Sequence, residues 1–246
     1  MSTSKIKLWT SVGTYVLAGA SAVISSQAIL TAEPINDLHY TTEQNSVLLS
    51  QGGEGGEGGD TPAFQDRLSG AELVKELQKG GYVIYFRHAQ TEKDYADQVS
   101  AKMGDCSTQR MLSEAGWQQA KKIGQGFQNL KIPVGDVYSS EYCRAWQTAD
   151  IAFGRYQKTP ALNFAPAEEY TEVQTKQMRD AVMPLLSKVP AAGINTVIVG
   201  HDDVFDSATG IYPEPQGVAY ILKPDGQGNF EIIANMQAEE WLTLPR

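Results

Sequence analysis

The sequence predicts an α/β fold with a mostly parallel central sheet. Short apolar stretches rich in β-branched and aromatic residues alternate with longer stretches whose apolar residues recur every three or four positions. In addition, His88 and His201 each stand directly after a strand-like stretch, where open α/β sheets bind ligands. The folded unit is expected to extend over residues 64–246.

The first helix of this unit is predicted by a capping box. Ser69 and Glu72 stand three residues apart just before an apolar stripe, and Gly80 follows that stripe. Residues 82–86 come next as a short apolar run, which indicates a buried strand.

A second helix is predicted to begin at Ser113 and to bury one face. Its apolar side chains at three- and four-residue spacing are Trp117, Ala120, Ile123, Phe127 and Leu130. A strand over residues 134–138 follows, and a further helix is expected to begin at Ser139 and to end at Phe153.

A second capping box predicts the last long helix. Thr171 and Gln174 form the box, and Pro184 is expected to kink the helix. The remaining strands are predicted over residues 196–199, 217–222 and 230–234.

Residues 1–32 are predicted to direct export. Lys5 and Lys7 precede an uncharged, mainly apolar stretch over residues 8–30, and small residues that suit a cleavage site follow, as in a signal peptide. The alternatives are an uncleaved membrane anchor, because about 20 apolar residues can span a bilayer, and a buried helix. Cleavage and anchoring, the two favoured interpretations, both place the folded unit outside the cytoplasm, periplasmic or secreted, with this segment as its sole membrane attachment.

Residues 33–63 are predicted to be a flexible linker, because they contain an acidic run of Gly and Glu. His39 lies in this linker and is given no role. The 246-residue chain has 20 Lys+Arg and 29 Asp+Glu, a net charge of −9, which argues against binding nucleic acid. An anionic substrate would therefore need a local cationic cluster.

Four short motifs identify a family resemblance over residues 82–241. They are Arg87-His88-Ala89-x-Thr91, Leu112-Ser113-x-x-Gly116, Ser139-Ser140-x-x-x-Arg144-x-x-Gln147-Thr148 and Val199-Gly200-His201. In this order and spacing they resemble the histidine phosphatase superfamily, which is also called phosphoglycerate mutase-like. The chain looks most similar to exported bacterial members, one group of which acts on lipopolysaccharide-core heptose phosphate.

The resemblance implies a three-layer α/β/α architecture and a phosphomonoester hydrolase that works through phosphohistidine. It assigns the nucleophile to His88, phosphate binding to Arg87 and Arg144, and contact with the phosphoryl oxygens to His201. The chemistry suits these residues, since guanidiniums bind phosphate in a bidentate way and a neutral imidazole can attack phosphorus. The expected substrate is an extracytoplasmic phosphorylated small molecule or glycan, with no metal or cofactor required.

The proton donor to the leaving group is left open by the sequence. One branch of the superfamily uses a Glu between the second Arg and the second His, which favours Glu169, with Glu168 as its neighbour. The other branch uses an Asp after the second His, and Asp202 fits that position. A third possibility is that there is no dedicated acid, which would suit a good leaving group. The sequence departs from the family pattern at two places. The acidic pair Asp202-Asp203 is uncommon beside the second His, and Ala89 stands where the family commonly has Gly, so its methyl group is expected to narrow the pocket.

Cys106 and Cys143 are the only cysteines, and in an exported chain they are expected to pair. The alternative is two free thiols. Three other functions remain open from the sequence: a mutase or phosphotransferase, a non-catalytic exported anion-binding envelope protein, and a metal hydrolase. The metal hydrolase would use the residues His88, His201, Asp202 and Asp203.

Overall fold

The computed structural model describes residues 64–92, 97, 99–167 and 169–245. The predicted export segment, the predicted linker with His39, and Glu168 lie outside the described residues. Within them, no helix is long and apolar enough to cross a membrane.

A six-stranded mixed sheet forms the centre of the fold. The strands are β1 Val83–Arg87, β2 Val134–Ser139, β3 Gln157–Lys158, β4 Asn195–Gly200, β5 Ala219–Pro224 and β6 Phe230–Met236. Their order across the sheet is β3-β2-β4-β1-β5-β6. The first three pairings in this order are parallel, and the two that involve β5 are antiparallel.

Helices cover both faces of the sheet. They are α1 Gly70–Lys79, α2 Glu114–Asn129, α3 Cys143–Phe153, α4 Glu172–Leu186 and α5 Asp202–Thr209. Three short 3₁₀ helices span Cys106–Thr108, Pro160–Leu162 and Glu240–Leu242. Successive strand residues point to opposite faces, so Ile84 packs with the cluster that includes α1, α2 and α3, whereas Tyr85 packs with α4 and α5. The predicted α/β class with three layers is therefore confirmed.

The capping box predicted at the start of α1 is wrong. Ser69 is the N-cap of α1, but its hydroxyl makes no cap hydrogen bond. Gly70 has a φ of 52°, outside the right-handed helical region, so the first turn lacks the geometry that a capping box needs. The box of Thr171 and Gln174 at the start of α4 is present as predicted.

The helix expected from Ser139 begins instead at Cys143, because Ser139 still pairs in the sheet as the last residue of β2. Trp117 was expected on the buried face of α2 and is 42% exposed. The buried stripe of α2 passes through Gly116 and Ala120 instead.

Candidate active site

The register of β1 and β4 brings the two predicted histidines together. Arg87 pairs with Gly200 in the parallel ladder, so the residues that follow them are neighbours at the carboxyl edge of the sheet. The ring centroids of His88 and His201 lie 5.4 Å apart, with 62° between the ring planes. Both side chains are fully buried.

The imidazole of His88 is held in one orientation by two neighbours. Its Nδ1 lies 2.9 Å from the carbonyl oxygen of Ala89, an acceptor, so Nδ1 carries the ring proton. The Nε of Arg144 donates to Nε2 at 3.2 Å, which assigns the lone pair to that nitrogen. Nε2 of His88 is therefore the nucleophilic atom of the ring.

Arg144 lies at the start of α3 and is 3% exposed. Besides His88, its guanidinium contacts Asp97, with Nη1 2.9 Å from Oδ2 of that carboxylate. Its Cζ lies 5.1 Å from the ring centroid of Tyr142 and 5.3 Å from that of Phe164. Aromatic faces thus support the cation where water is excluded.

Arg87 is the second buried guanidinium. Its Nη2 pairs with Oδ2 of Asp202 at 2.5 Å, and its Nη1 donates to the carbonyl oxygen of Pro213 at 2.9 Å. The hydroxyl of Tyr212 donates to the same Asp202 oxygen at 2.8 Å. The Nε of Arg87 is buried and has no hydrogen-bond partner within the described residues.

His201 is anchored through Ser140. The Nε2 of the ring lies 2.8 Å from the Ser140 hydroxyl, which also contacts Asn163. Within the described part of the chain, Nδ1 of His201 has no hydrogen-bond partner. The single hydroxyl proton of Ser140 goes to Oδ1 of Asn163, so Nε2 of His201 carries the ring proton and donates to Ser140. Nδ1 can donate to a phosphoryl oxygen once it takes up a proton, which the charge of a phosphate dianion favours.

Burial and nearby cations keep both imidazoles neutral. Burial lowers the pKa of His88 well below 6.5, and the charges of Arg144 and Arg110 lower it further. The pKa of His201 is lowered in the same way, first by burial and then by Arg144. Neutral imidazole is the form that can attack phosphorus, so both rings are in the protonation state that a nucleophile needs.

Part of the chain is similar to known proteins. Residues 83–181 match the family model of the histidine phosphatase superfamily, branch 1. That match spans 99 of the 246 residues, from β1 into α4. The serine/threonine-protein phosphatase Pgam5, mitochondrial, of Drosophila grimshawi is 34% identical over 107 residues, which make up 42% of this chain and 34% of that protein. The chain therefore matches about a third of that relative's length.

Two solved structures are similar over most of their own length. The protein histidine phosphatase SixA complexed with tungstate has a TM-score of 0.47 and 15% identity, covering 64% of this chain and 97% of that one. A phosphoserine phosphatase from Entamoeba histolytica has a TM-score of 0.44 and 13% identity, covering 64% and 98% of the two chains.

Two glycines of the four motifs have clear packing roles. A Cβ at Gly116 would lie 2.0 Å from the carbonyl oxygen of Gln90, so only glycine lets α2 approach the loop after His88. A Cβ at Gly200 would lie 2.3 Å from the hydroxyl of Tyr85. That hydroxyl donates to the carbonyl of His201 at 2.7 Å and accepts from its N–H at 2.9 Å.

Thr148 links the first and third of the four motifs. Its hydroxyl accepts from the N–H of Ala89 at 3.0 Å and donates to the carbonyl of Arg144 at 2.7 Å. The side chain of Ala89 packs in a small apolar cluster with Leu112 and Ala120. Its methyl group is thus accommodated in the interior, and the expected narrowing of the pocket is not observed.

The candidate proton donors lie in different surroundings. Asp202 is held by Arg87 and Tyr212 inside the site. Glu169 is exposed in the loop before α4, and its neighbour Tyr170 donates to Asp203 at 2.9 Å. Burial, followed by the Asp202 charge, raises the pKa of Asp203 to about 6.

A surface cleft of about 710 Å³ adjoins Arg87. Its other lining side chains are mainly uncharged and polar: Gln90, Thr91, Gln119, Tyr212 and Gln216, with the acidic Glu214. This cleft is the neighbouring space that the organic part of a substrate could occupy.

The predicted disulfide is present. Cys106 and Cys143 are bonded, with their Cα atoms 5.7 Å apart. In the described ranges, no group of three or more His, Cys, Asp and Glu side chains could hold a metal ion.

Several site residues were missed by the sequence analysis. Asp97 follows the first motif in a stretch without periodicity, so nothing in the sequence distinguishes it from a surface acid. Arg110 stands just before the Leu112-Ser113 marker, and a basic residue beside a motif could have been noted. Tyr212 and Phe164 lie outside every motif, and only the fold brings them to the site.

Proposed function

We propose that this chain hydrolyses phosphomonoesters through a phosphohistidine formed on His88. The proposal rests on the position of His88 Nε2, which lies 3.2 Å from Nε of the buried Arg144 guanidinium. An imidazole in this setting is neutral, oriented and adjacent to a group that binds phosphate oxygens.

Binding uses the charged and polar groups around the histidine pair. The guanidiniums of Arg87 and Arg144 and the imidazole of His201 hold the phosphoryl oxygens, and the contacts strengthen as charge develops on those oxygens. The phosphoryl group takes the place of the hydrogen bond between Arg144 and His88.

The reaction proceeds in two balanced displacements. In the first, the Nε2 lone pair forms a bond to phosphorus, the ester P–O bond breaks, and the leaving oxygen takes a proton from a carboxylic acid. In the second, water attacks phosphorus, the P–N bond breaks, and the same carboxylate takes the water proton. Inorganic phosphate leaves, and His88 returns to its neutral form.

We propose Glu169 as the acid, with Glu168 and Asp202 as the alternatives. Glu169 is exposed, and its neighbour Tyr170 donates to Asp203, the residue after Asp202. The contacts of Asp202 with Arg87 and Tyr212 both use its Oδ2 as an acceptor, so that oxygen is already engaged within the site.

The proposed substrate is an extracytoplasmic phosphorylated small molecule or glycan whose organic part lies in the cleft beside Arg87. The export segment predicted over residues 1–32 supports this location. The Cys106–Cys143 disulfide also supports it, because disulfides persist mainly in oxidising compartments. Cell fractionation measures the location, and recovery of the chain in the cytoplasm alone would contradict it. Lipopolysaccharide-core heptose phosphate is the substrate class of the exported proteins that the chain resembles.

The experiment compares purified wild type with His88→Ala on p-nitrophenyl phosphate, with and without a chelator. We expect His88→Ala to lower the rate by roughly three orders of magnitude or more, as nucleophile removal does in other hydrolases. The chelator should leave the wild-type rate unchanged. An acid-labile, base-stable phosphoenzyme should form in wild type and be absent in the variant.

His39→Ala is the matched control, because it removes a histidine from the predicted linker and should retain the wild-type rate. Turnover that survives in His88→Ala would exclude this nucleophile. Loss of wild-type activity on chelation would instead indicate a metal hydrolase.

A further inference from the structure

Asp97 is a buried carboxylate that the proposed chemistry does not use. It lies between β1 and α2 and is 2% exposed. Its Oδ2 accepts from the backbone N–H of Arg110 at 2.7 Å and pairs with Nη1 of Arg144 at 2.9 Å. A charge buried this deeply needs such partners to be tolerated.

The two contacts of Arg144 fix how its guanidinium is turned. Nη1 is held by Asp97, while Nε is directed at Nε2 of His88. The edge formed by Nε and Nη2 is one of the two forks through which a guanidinium binds a pair of oxygens. With Nη1 occupied by Asp97, that edge is left to meet a phosphoryl group beside the nucleophile.

We propose that Asp97 is a positioning residue that orients Arg144 for phosphoryl transfer to His88. This inference rests on the proposed function and adds to it a residue outside the four motifs. Asp97 does not touch the reacting atoms, so its effect passes through Arg144. The negative charge of Asp97 weakens the binding of a phosphate dianion in the ground state. A positioning role therefore predicts that loss of Asp97 lowers kcat without raising KM.

The segment that carries Asp97 is itself fixed to the start of α3. Cys106 is bonded to Cys143, the residue before Arg144. The side chain of Gln109 accepts from the N–H of Cys143 at 2.8 Å. The residue before Arg144 and the side chain of Arg144 are thus both bound to the segment between β1 and α2. Asp97 and Arg144 therefore cannot separate without breaking several contacts.

The test measures single-turnover phosphoenzyme formation, kcat and KM for Asp97→Asn on p-nitrophenyl phosphate. We expect phosphoenzyme formation and kcat to fall by roughly 10- to 100-fold, as misplacement of a binding group by about 1 Å can do. KM should stay the same or fall, because a negative charge near the phosphate has been removed. A purely electrostatic role would lower KM and leave kcat at the wild-type value.

A double-mutant cycle with Arg144→Ala tests whether Asp97 acts through that arginine. In the Arg144→Ala background, Asp97→Asn should cause less than a twofold further loss. A loss as large as in wild type would overturn the inference. Asp180→Asn, which breaks an exposed pair with Lys176, is the matched control and should keep the wild-type rate.

Asp97→Glu is the second variant, because it keeps the ion pair if Asp97→Asn fails to fold. It displaces the carboxylate by one methylene and should lower phosphoenzyme formation by about fivefold. A wild-type rate in either folded variant overturns the inference while the proposed function stands. Absence of a phosphoenzyme in wild type overturns both.

Discussion

At the scale of single residues, the charges of the candidate site are nearly balanced. Arg87 is paired with Asp202, and Arg144 is paired with Asp97. The charge of Arg110 also lowers the pKa of both imidazoles. A phosphate dianion therefore gains mainly from oriented donors, whose contacts tighten as the transition state forms.

The proton donor is testable by the dependence of the rate on the leaving group. Glu169→Gln should slow hydrolysis of an alkyl phosphate such as glycerol phosphate by about 10²- to 10⁴-fold, the range for a positioned general acid. It should slow hydrolysis of p-nitrophenyl phosphate much less, because nitrophenolate leaves without protonation. Steady-state rates on the two substrates measure the difference.

Glu172→Gln is the control, since Glu172 is an exposed acid in the first turn of α4. Glu168→Gln and Asp202→Asn complete the series. The donor is Asp202 instead if Asp202→Asn alone shows the dependence on leaving group.

At the scale of elements, α3 depends on its connection to the segment before α2. Arg144 is the second residue of α3, and Cys143 and Gln109 fix the helix start. The segment between β1 and α2 therefore holds Arg144, the proposed phosphate-binding residue, both through the residue before it and through its own side chain.

Removing this crosslink should cost stability. The double variant Cys106→Ser/Cys143→Ser should lower the free energy of unfolding by about 4 kcal/mol in the chain-entropy model, given a sequence separation of 37 residues. Denaturant unfolding of the variant and of wild type, with and without reductant, measures the loss. Equal unfolding free energies for the variant and oxidised wild type would show that the bond contributes nothing.

At the scale of the whole molecule, the sheet is packed on both faces and the site lies at one edge. One apolar cluster contains the ring contacts among Phe86, Phe127 and Trp241, and the other contains the contact between Tyr85 and Phe205. The histidine pair is enclosed where these layers meet the strand ends, so folding itself buries both imidazoles.

Because His88 and His201 are buried, we expect acidic pH to lower the free energy of unfolding. Below about pH 6.5 the unfolded chain binds a proton on each histidine, whereas the folded protein does not, because burial lowers the pKa of both. Each buried histidine should therefore cost roughly 1 kcal/mol of unfolding free energy per pH unit as the pH falls from about 6.5 to 5.

His201→Gln should remove one such contribution, and its amide can still donate to Ser140. Urea unfolding of the variant and of wild type between pH 7.5 and 5 measures the difference in slope. Asp203, with a pKa raised to about 6, acts in the opposite direction, since the folded protein takes up its proton first. Because Asp203 is present in both proteins, parallel pH curves for the two would contradict the prediction.

The sequence was sufficient to predict the sheet strands near the site and the residues that follow them. Apolar runs identified β1 and β4, and the polar residues directly after them were His88 and His201. The two-residue strand β3 carried no such signal, because two exposed residues have no readable pattern. Trp117 was misplaced because helical spacing alone does not show which neighbouring stripe meets the sheet.

By itself, the sequence determined the α/β class, the motif residues and the pairing partners available to the cysteines. These depend on local periodicity and composition, which each short segment carries within itself. Only the tertiary structure decided that Asp97 meets Arg144, that Asp202 meets Arg87, and which nitrogen of His88 is free. Such contacts join residues far apart in the chain, so strand register and loop path fix them rather than any local pattern.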